Sequence, residues 1–145
     1  MSRRNLVLVE QFFGLCERAS LERVNFDLLT ENVTYDLLIA QATTLSQTFR
    51  GRAAVQTYLS LISGSYDILE AERKRLFAAG EKVIALGSEL AWLVRLDQVV
   101  HAEWNAVFEI EKGQISKVAM SVYRWSVLST GSRLRPAPLQ LGPPN

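Results

Sequence analysis

The segment VFEIEKGQISKVAMSVYRW, residues 107–125, predicts the β-hairpin that decides the fold. An apolar strand comes before the EKGQ turn and a second apolar strand follows it, as expected of two paired strands in a buried sheet. Gly113 stands where a tight hairpin turn requires a positive φ angle. Met120 falls at the centre of the second strand. The hairpin therefore indicates an antiparallel sheet, with Met120 as a candidate wall residue of a pocket.

The pattern of long strands extends upstream from this hairpin to Tyr66. The turn sequences AAGE, RLDQ and EKGQ divide this part of the chain, and Gly80 occupies the first turn as Gly113 occupies the last. Regular strand lengths joined by short turns are typical of an antiparallel meander. The sequence thus predicts four consecutive strands, at residues 67–77, 82–94, 99–110 and 114–125.

The N-terminal half predicts helices. Apolar residues recur every three or four positions between Leu6 and Cys16, which is the spacing of a helix with one buried face. Ser20 is a candidate N-cap of a short second helix, ended by Glu31 and Asn32, that carries Leu21, Val24, Leu28 and Leu29. VTYDLLIA then predicts a first strand, and Gly51 opens a third helix, RAAVQTYLSLI, that stops at Gly64. The order predicts an α+β fold: three N-terminal helices packed on a strongly curved, mainly antiparallel sheet.

Composition indicates one domain. The chain has 145 residues, of which 48% are hydrophobic, enough to bury a core. All four prolines lie in the final segment RPAPLQLGPPN. We therefore predict a single domain at residues 1–128 and a Pro-rich, disordered tail at residues 129–145, with a polyproline ligand for an SH3-like partner as the alternative.

Charge and cysteine content narrow the function classes. The formal net charge is +1 with acids and bases interspersed, so the sequence predicts neither a nucleic-acid partner nor a membrane-surface partner. Cys16 is the only cysteine and His101 the only histidine, which argues against a metal site, and no cofactor is expected. The N-terminal LVLV run is too short for a signal peptide and is broken by Glu10 and Gln11, so a cytoplasmic location is expected.

The third strand of the meander is apolar on both faces. One set of alternate residues is expected to face the helices, and comprises Ala102, Trp104, Ala106, Phe108 and Ile110. The opposite set, which includes His101, Asn105 and Val107, is too apolar for an open surface. We expect a homodimer through this outer sheet face.

Three sequence landmarks carry a family resemblance: FRGRAAV, FAAGEKVIALG and WNAVFEIEKGQI. Their order and spacing resemble the nuclear-transport-factor-2-like superfamily, in particular its SnoaL-like branch. The resemblance implies a conical α+β barrel of the cystatin-like kind, a homodimer and a deep, mostly apolar cavity. Relatives include polyketide cyclases, ketosteroid isomerase, limonene epoxide hydrolase and scytalone dehydratase, together with members that only bind or scaffold. The fold alone therefore does not settle the function.

Functional positions carried over from these relatives are mostly lost in this sequence. The base and the two hydrogen-bond donors of ketosteroid isomerase align with Leu37, Phe12 and Ala106, which can neither move a proton nor stabilise an enolate. The acid of the SnoaL-type cyclases aligns with Met120. The side chains at these positions therefore argue against the ketosteroid isomerase mechanism and against the SnoaL-type cyclase mechanism.

Limonene epoxide hydrolase fits better in two positions. Its water-holding tyrosine aligns with Tyr35 and one of its carboxylates with Glu89. The arginine aligns with Gly87, while the second aspartate and the asparagine align with Met120 and Leu37. The array that activates water in that enzyme is thus incomplete here.

Glu89 and Tyr35 remain as candidate catalytic residues. The alternation of Glu89 with Ala85 and Ala91 places it on the inner face if the strand carries no bulge; burial there would raise the pKa of its carboxyl and suit it to carry a proton. The alternatives are a solvated carboxylate at the rim and a structural tyrosine held by one hydrogen bond. Candidate ligand-binding residues are Leu37, Trp104, Ala106, Phe108, Met120, Val122 and Phe12.

The sequence leads to two functional hypotheses. The first is a SnoaL-like protein that binds a small hydrophobic molecule, with isomerase, cyclase or hydrolase activity by acid–base chemistry. The second is a non-catalytic, dimeric binding or accessory module. Whether polar groups converge inside the cavity distinguishes the two.

Overall fold

The computed structural model describes residues 2–16, 26–40 and 45–130. Two α-helices lie in this part of the chain, α1 (Ser2–Cys16) and α2 (Arg52–Ser65), with a single 3-10 turn at Phe26–Leu28. The strands are β1 (Leu29–Ile39), β2 (Leu45–Arg50), β3 (Tyr66–Ala79), β4 (Lys82–Leu93), β5 (Gln98–Glu111) and β6 (Gln114–Thr130). None of the helices in the described ranges is long and apolar enough to span a membrane.

The strands form one six-stranded mixed sheet in the order β2-β1-β6-β5-β4-β3. The meander β3 to β6 pairs antiparallel throughout, as predicted, and Gly80 and Gly113 have φ angles of 65° and 81° in its turns. β1 pairs antiparallel with β2 but parallel with β6, with Leu37 opposite Met120. The α+β class and the mainly antiparallel sheet are confirmed. Among the described strands the sheet does not close into a barrel, since β2 and β3 lie at opposite edges.

Two elements differ from the sequence prediction. The predicted second helix falls largely on residues 17–25, outside the described residues, and its last part is wrong because Leu29 already begins β1. Strand β2 was not predicted, because its six residues, LSQTFR, carry too few apolar positions to show a period. The predicted tail boundary at residue 129 lies inside β6, which runs to Thr130, and residues 131–145 lie outside the described part of the chain.

The core lies between the helices and one face of the sheet, which we call the inner face. Helix α1 buries Val9, Phe12 and Phe13 there, as its periodicity predicted. Phe13 packs on Trp104 and Phe108 of β5, with ring centroids 5.5 Å away in both cases. Edge-to-face and tilted aromatic contacts of this kind add to the apolar burial that drives folding. The opposite face of the sheet is called the outer face below.

Strand β5 shows how the two faces divide. Its predicted inner residues are nearly inaccessible, with Ala106 and Phe108 both at 0% exposure. The alternate residues, among them His101, Asn105 and Val107, are only partly buried. This alternation follows from the pleat, which turns successive side chains to opposite faces.

Helix α2 begins at a position that only glycine fits well. Gly51 has φ 91° and ψ 152°, and its amide donates to the carbonyl oxygen of Val33 at 2.7 Å. The following Arg52 donates from its Nη2 to the carbonyl oxygen of Leu29 at 2.7 Å. The FRGR segment therefore ties α2 to the start and middle of β1, which sets the helix over that side of the inner face.

Candidate functional site

Glu89 lies on the inner face, at the position that the sequence predicts. Strand β4 pairs with β5 without a register shift, so Glu89 keeps the parity of Ala85 and Ala91, which are both 0% exposed. The register shifts of this region occur in β3 instead. Glu89 stands between Ala71 and Ala102 on the neighbouring strands, and its side chain is partly buried. Both of these neighbours are alanines.

The side chain of Tyr66 donates a hydrogen bond to Oε2 of Glu89. Tyr66 is the first residue of β3, and its backbone N–H caps α2 by donating to the carbonyl oxygen of Ile62. Burial raises the pKa of the Tyr66 hydroxyl well above its ordinary value, and the charge of Glu89 and the hydrogen bond to it act in the same direction. The phenol therefore keeps its proton, and Tyr66 is a neutral donor to the carboxylate.

Two further tyrosines adjoin this pair. Tyr58 of α2 acts electrostatically on Tyr66, which places the two hydroxyl groups in the same region. Its ring stacks on Phe49 at 4.4 Å between centroids and lies 5.2 Å from the ring of Tyr35. Tyr35 is buried, at 5% exposure. The order Tyr35, Tyr58, Tyr66, Glu89 thus follows α2 and its flanking strands across the inner face.

The predicted ligand-binding residues divide into two groups. Phe12, Trp104, Ala106 and Phe108 are at most 6% exposed and belong to the hydrophobic core. Leu37, Met120 and Val122 are partly buried and pack against the edge of that core. The second group is the more accessible, so β1 and β6 supply the apolar surface beside the tyrosines.

Two buried indole groups on the inner side have no hydrogen-bond partner among the described residues. They are the Nε1 atoms of Trp104 and Trp125, and each is inaccessible to solvent. Trp125 is paired with Ala102, the same residue that faces Glu89 from the other side. Enclosed in this way, neither N–H can reach a ligand without movement of the side chains around it.

The outer face carries a groove of about 460 Å³. Small residues of β6, Ala119 and Ser121, lie opposite Val107 and Asn105 of β5 and beside Asp36 and Leu38 of β1. Leu38 is 40% exposed. The groove therefore lies on the face that the sequence analysis assigns to a second subunit.

Ion pairs on this outer face join neighbouring strands. Lys117 Nζ lies 3.8 Å from Asp36 Oδ2, whose other oxygen accepts from Thr48 Oγ1 at 2.7 Å. Arg124 and Glu103 approach to 3.9 Å, as do Lys82 and Glu109. Pairs this exposed contribute little to stability, but they leave these charges matched within one chain.

No group of three or more His, Cys, Asp or Glu side chains in the described ranges could hold a metal ion. Among the described residues, Glu89 and the tyrosines supply a carboxylate and phenols at the inner face. Such groups can hold a hydroxyl or carbonyl oxygen and can exchange a proton with it.

Tyr66 and Tyr58 were not identified as site residues from the sequence. Tyr66 stands 23 positions before Glu89, and the stretch of β3 between Tyr66 and the partner of Glu89 contains a register shift, at Ile68/Glu70, that no local pattern reveals. Tyr58 follows the apolar period of α2 and so has the pattern of a core residue. The sequence signal that could have identified them is the presence of a tyrosine on each of β1, α2 and β3, which follow one another in the chain apart from β2.

Comparison with known proteins finds likeness in structure rather than in sequence. No family model matches the chain, and no curated protein matches it. An NTF2-like protein from Burkholderia xenovorans has 20% sequence identity and a TM-score of 0.69, covering 83% of this chain and 89% of its own. An LEH-like epoxide hydrolase from M. tuberculosis has 19% identity and a TM-score of 0.64, and the match covers 83% of this chain and 84% of the hydrolase.

A third similar structure is a candidate polyketide cyclase from Xanthomonas campestris. It has 22% identity and a TM-score of 0.64, and the match covers 83% of this chain and 90% of the cyclase. Because the three matches cover 83% of this chain and at least 84% of each similar structure, the likeness extends over most of the fold. The chain thus has the NTF2-like fold that its sequence landmarks indicated, on which enzymes of several reaction classes are built.

Proposed function

We propose that this chain binds a small, mainly apolar molecule on the inner face and that Glu89 exchanges a proton with it. The observation that carries the proposal is the Tyr66–Glu89 hydrogen bond, which holds a partly buried carboxylate on the same face of the sheet as the apolar core. Ligand sites in proteins commonly combine an apolar wall with a few convergent polar groups. Epoxide hydrolase and cyclase among the similar structures support acid–base chemistry on this scaffold.

Within this proposal the residues have separate roles. Glu89 takes and returns the proton, and Tyr35 or Tyr58 donates a hydrogen bond to an oxygen of the substrate or to a water. Leu37, Met120 and Val122 hold the apolar part by dispersion contact. Phe12, Trp104, Ala106 and Phe108 support that wall from the core.

A binding module without catalysis is the second candidate. Leu37 and Met120, which align with the catalytic asparagine and acid of enzymes in the family resemblance, lie directly opposite each other on β1 and β6. An apolar pair in the place of two polar groups favours ligand storage or an accessory role. Both candidate functions involve the same kind of ligand, and they differ in whether Glu89 transfers a proton.

The test separates binding from turnover by Glu89→Gln, with Glu81→Gln in the exposed β3–β4 turn as the matched control. Diphenylhexatriene, a hydrocarbon dye without hydrogen-bonding groups, reports binding by fluorescence. We expect both variants to bind it as the wild type does. Against a substrate found among apolar alcohols, ketones and epoxides, Glu89→Gln should lower kcat by roughly 100-fold or more, and Glu81→Gln should not.

The possible outcomes of that experiment test the ligand site, the role of Glu89 and the binding module separately. If the wild type fails to bind the dye, the apolar ligand site is wrong. Full turnover by Glu89→Gln would exclude Glu89 as the proton carrier. Dye binding without turnover of any compound in the panel would favour the binding module.

We also propose that the protein is a homodimer joined through the outer face. The groove offers small side chains at its floor and exposed Leu38 at its edge. The charges around it are already paired within one chain, so their burial in an interface leaves fewer uncompensated groups. A second copy of the same surface can then pack on it about a two-fold axis.

A further inference from the structure

The last part of β6, Tyr123–Thr130, has an open edge. β1 lies beside β6 only as far as Val122, which is paired with Ile39 and whose carbonyl oxygen accepts from the N–H of Ala40 at 2.9 Å. From there β6 continues to Thr130 with β5 as its neighbour. The main-chain groups of this part that face away from β5 therefore meet no strand within the described ranges.

The exposure of the side chains follows this difference along β6. Where β1 flanks β6, paired residues of β5 and β6 are equally buried, since Phe108 is 0% exposed and its partner Val118 is 1% exposed. Beyond the end of β1, Val100 of β5 is 2% exposed but its partner Val127 is 43% exposed. Leu128 is 55% exposed. The apolar surface at the end of β6 is thus uncovered on the side where β1 is missing.

The chain supplies a suitable segment directly after Thr130. Residues 131–132 are Gly-Ser, a dipeptide typical of two-residue hairpin turns. The segment RLRPAPLQL, residues 133–141, comes next and is followed by Gly142 and two prolines. Since β5 occupies one side of β6, a hairpin with this turn would set residues 133–141 antiparallel on the open side.

The spacing of Pro136 and Pro138 fits such a strand. In an antiparallel pair, residues whose N–H faces the partner alternate with residues whose N–H faces away. The residues that flank a two-residue turn form a hydrogen-bonded pair, so Arg133 would bond Thr130. The later residues with the same direction are Arg135, Ala137 and Leu139. Both prolines then fall at outward positions, where no N–H is needed, as proline does in edge strands.

We infer that residues 133–141 form a further strand, paired antiparallel with the open edge of β6. Composition alone predicts a disordered tail, whereas the open edge gives this segment a partner. The added strand covers Val127 and bonds the main chain of Tyr123–Thr130. Because two of its outward positions lack an N–H, it is a poor template for a strand of another chain, and the sheet ends there.

Amide hydrogen exchange of the full-length protein, followed by NMR, tests this pairing. In the wild type, the amides of Arg135, Ala137 and Leu139 should exchange at least about tenfold more slowly than in a synthetic peptide of residues 131–145, because the strand must open first. Ala137→Pro removes an inward N–H and should return the other two amides to the peptide rate. Gln140→Pro, which adds a proline at an outward position, is the matched control and should leave them protected.

Three results would overturn the inference. Exchange of the wild-type amides at the peptide rate would mean that the segment is unpaired, as a polyproline ligand would be. Equal loss of protection in Ala137→Pro and Gln140→Pro would mean that the alternation is wrong. Protection that falls as the protein is diluted would mean that the open edge pairs with a second copy. Circular dichroism confirms that both variants are folded.

Discussion

At the scale of single residues, the proposed site depends on one hydrogen-bonded pair, Tyr66 and Glu89, which are 23 positions apart in the chain. Glu89 could be assigned to the inner face from its parity with alanines on β4, because that strand is regular. Its partner could not, because Tyr66 lies where α2 ends and β3 begins, and neither period predicts the direction of its side chain. Sequence reasoning therefore placed Glu89 on the inner face but missed the phenol that donates to it.

Because folding raises the pKa of Tyr66, the free energy of unfolding should vary with pH in the alkaline range. In the unfolded chain the phenol has its ordinary pKa of about 10 and loses its proton above that pH, whereas in the folded state Tyr66 keeps the proton. This contribution is complete below about pH 10 and is lost as pH rises above it, by at most about 1.4 kcal/mol per pH unit.

Tyr66→Phe tests that linkage. At neutral pH we expect the variant to lose about 1 kcal/mol of unfolding free energy with its hydrogen bond. Between about pH 9 and about pH 11 the gap between the two proteins should narrow, because only the wild type carries the Tyr66 titration. Urea unfolding at several pH values measures this. A gap that stays constant or widens would contradict the assignment.

At the scale of elements, local sequence signals predicted some of the strands and their pairing but not others. The hairpin glycines and the alternation of β5 predicted the meander, because turn and pleat are short-range properties. The parallel pairing of β1 with β6 and the short strand β2 are long-range arrangements, which no local period records. The polar groups of the site come from β1, α2, β3 and β4, so only the assembled fold brings them together.

The start of α2 depends on the backbone of Gly51. Its φ of 91° and ψ of 152° lie in a region that is essentially restricted to glycine, although a Cβ there would meet no atom within 4 Å. Gly51→Ala should therefore lose about 1–3 kcal/mol of unfolding free energy through backbone strain alone.

Gly64→Ala, near the end of the same helix, is the matched control. A Cβ at Gly64 also meets nothing within 4 Å, and its φ is not positive. This change should gain a few tenths to about 1 kcal/mol, because alanine favours the helix. Thermal or urea unfolding of the two variants should thus give opposite signs. A loss in both would mean that space rather than backbone conformation decides.

At the scale of the whole molecule, one sheet presents two chemically different faces. Its inner face is closed by helices and carries the tyrosines and Glu89, while its outer face carries the groove. Because side chains alternate along each strand, β1 and β6 serve both faces at once: Leu37 and Met120 face inward, and Asp36 and Ala119 stand opposite one another on the outer side. A second subunit on the outer face would therefore hold fixed the strands that supply the apolar wall.

The homodimer is tested at the floor of the groove by Ala119→Arg. A long cation there would clash with a second copy and remain unpaired if buried, whereas one folded chain has space for it in a groove of about 460 Å³. Leu61→Arg, on an α2 residue that is 67% exposed, is the matched control and should leave assembly unchanged. In sedimentation at micromolar concentration we expect a dimer for the wild type and for Leu61→Arg, and a folded monomer for Ala119→Arg. If the wild type is a monomer, the homodimer proposal is wrong. If Ala119→Arg is still a dimer, the interface lies on another surface.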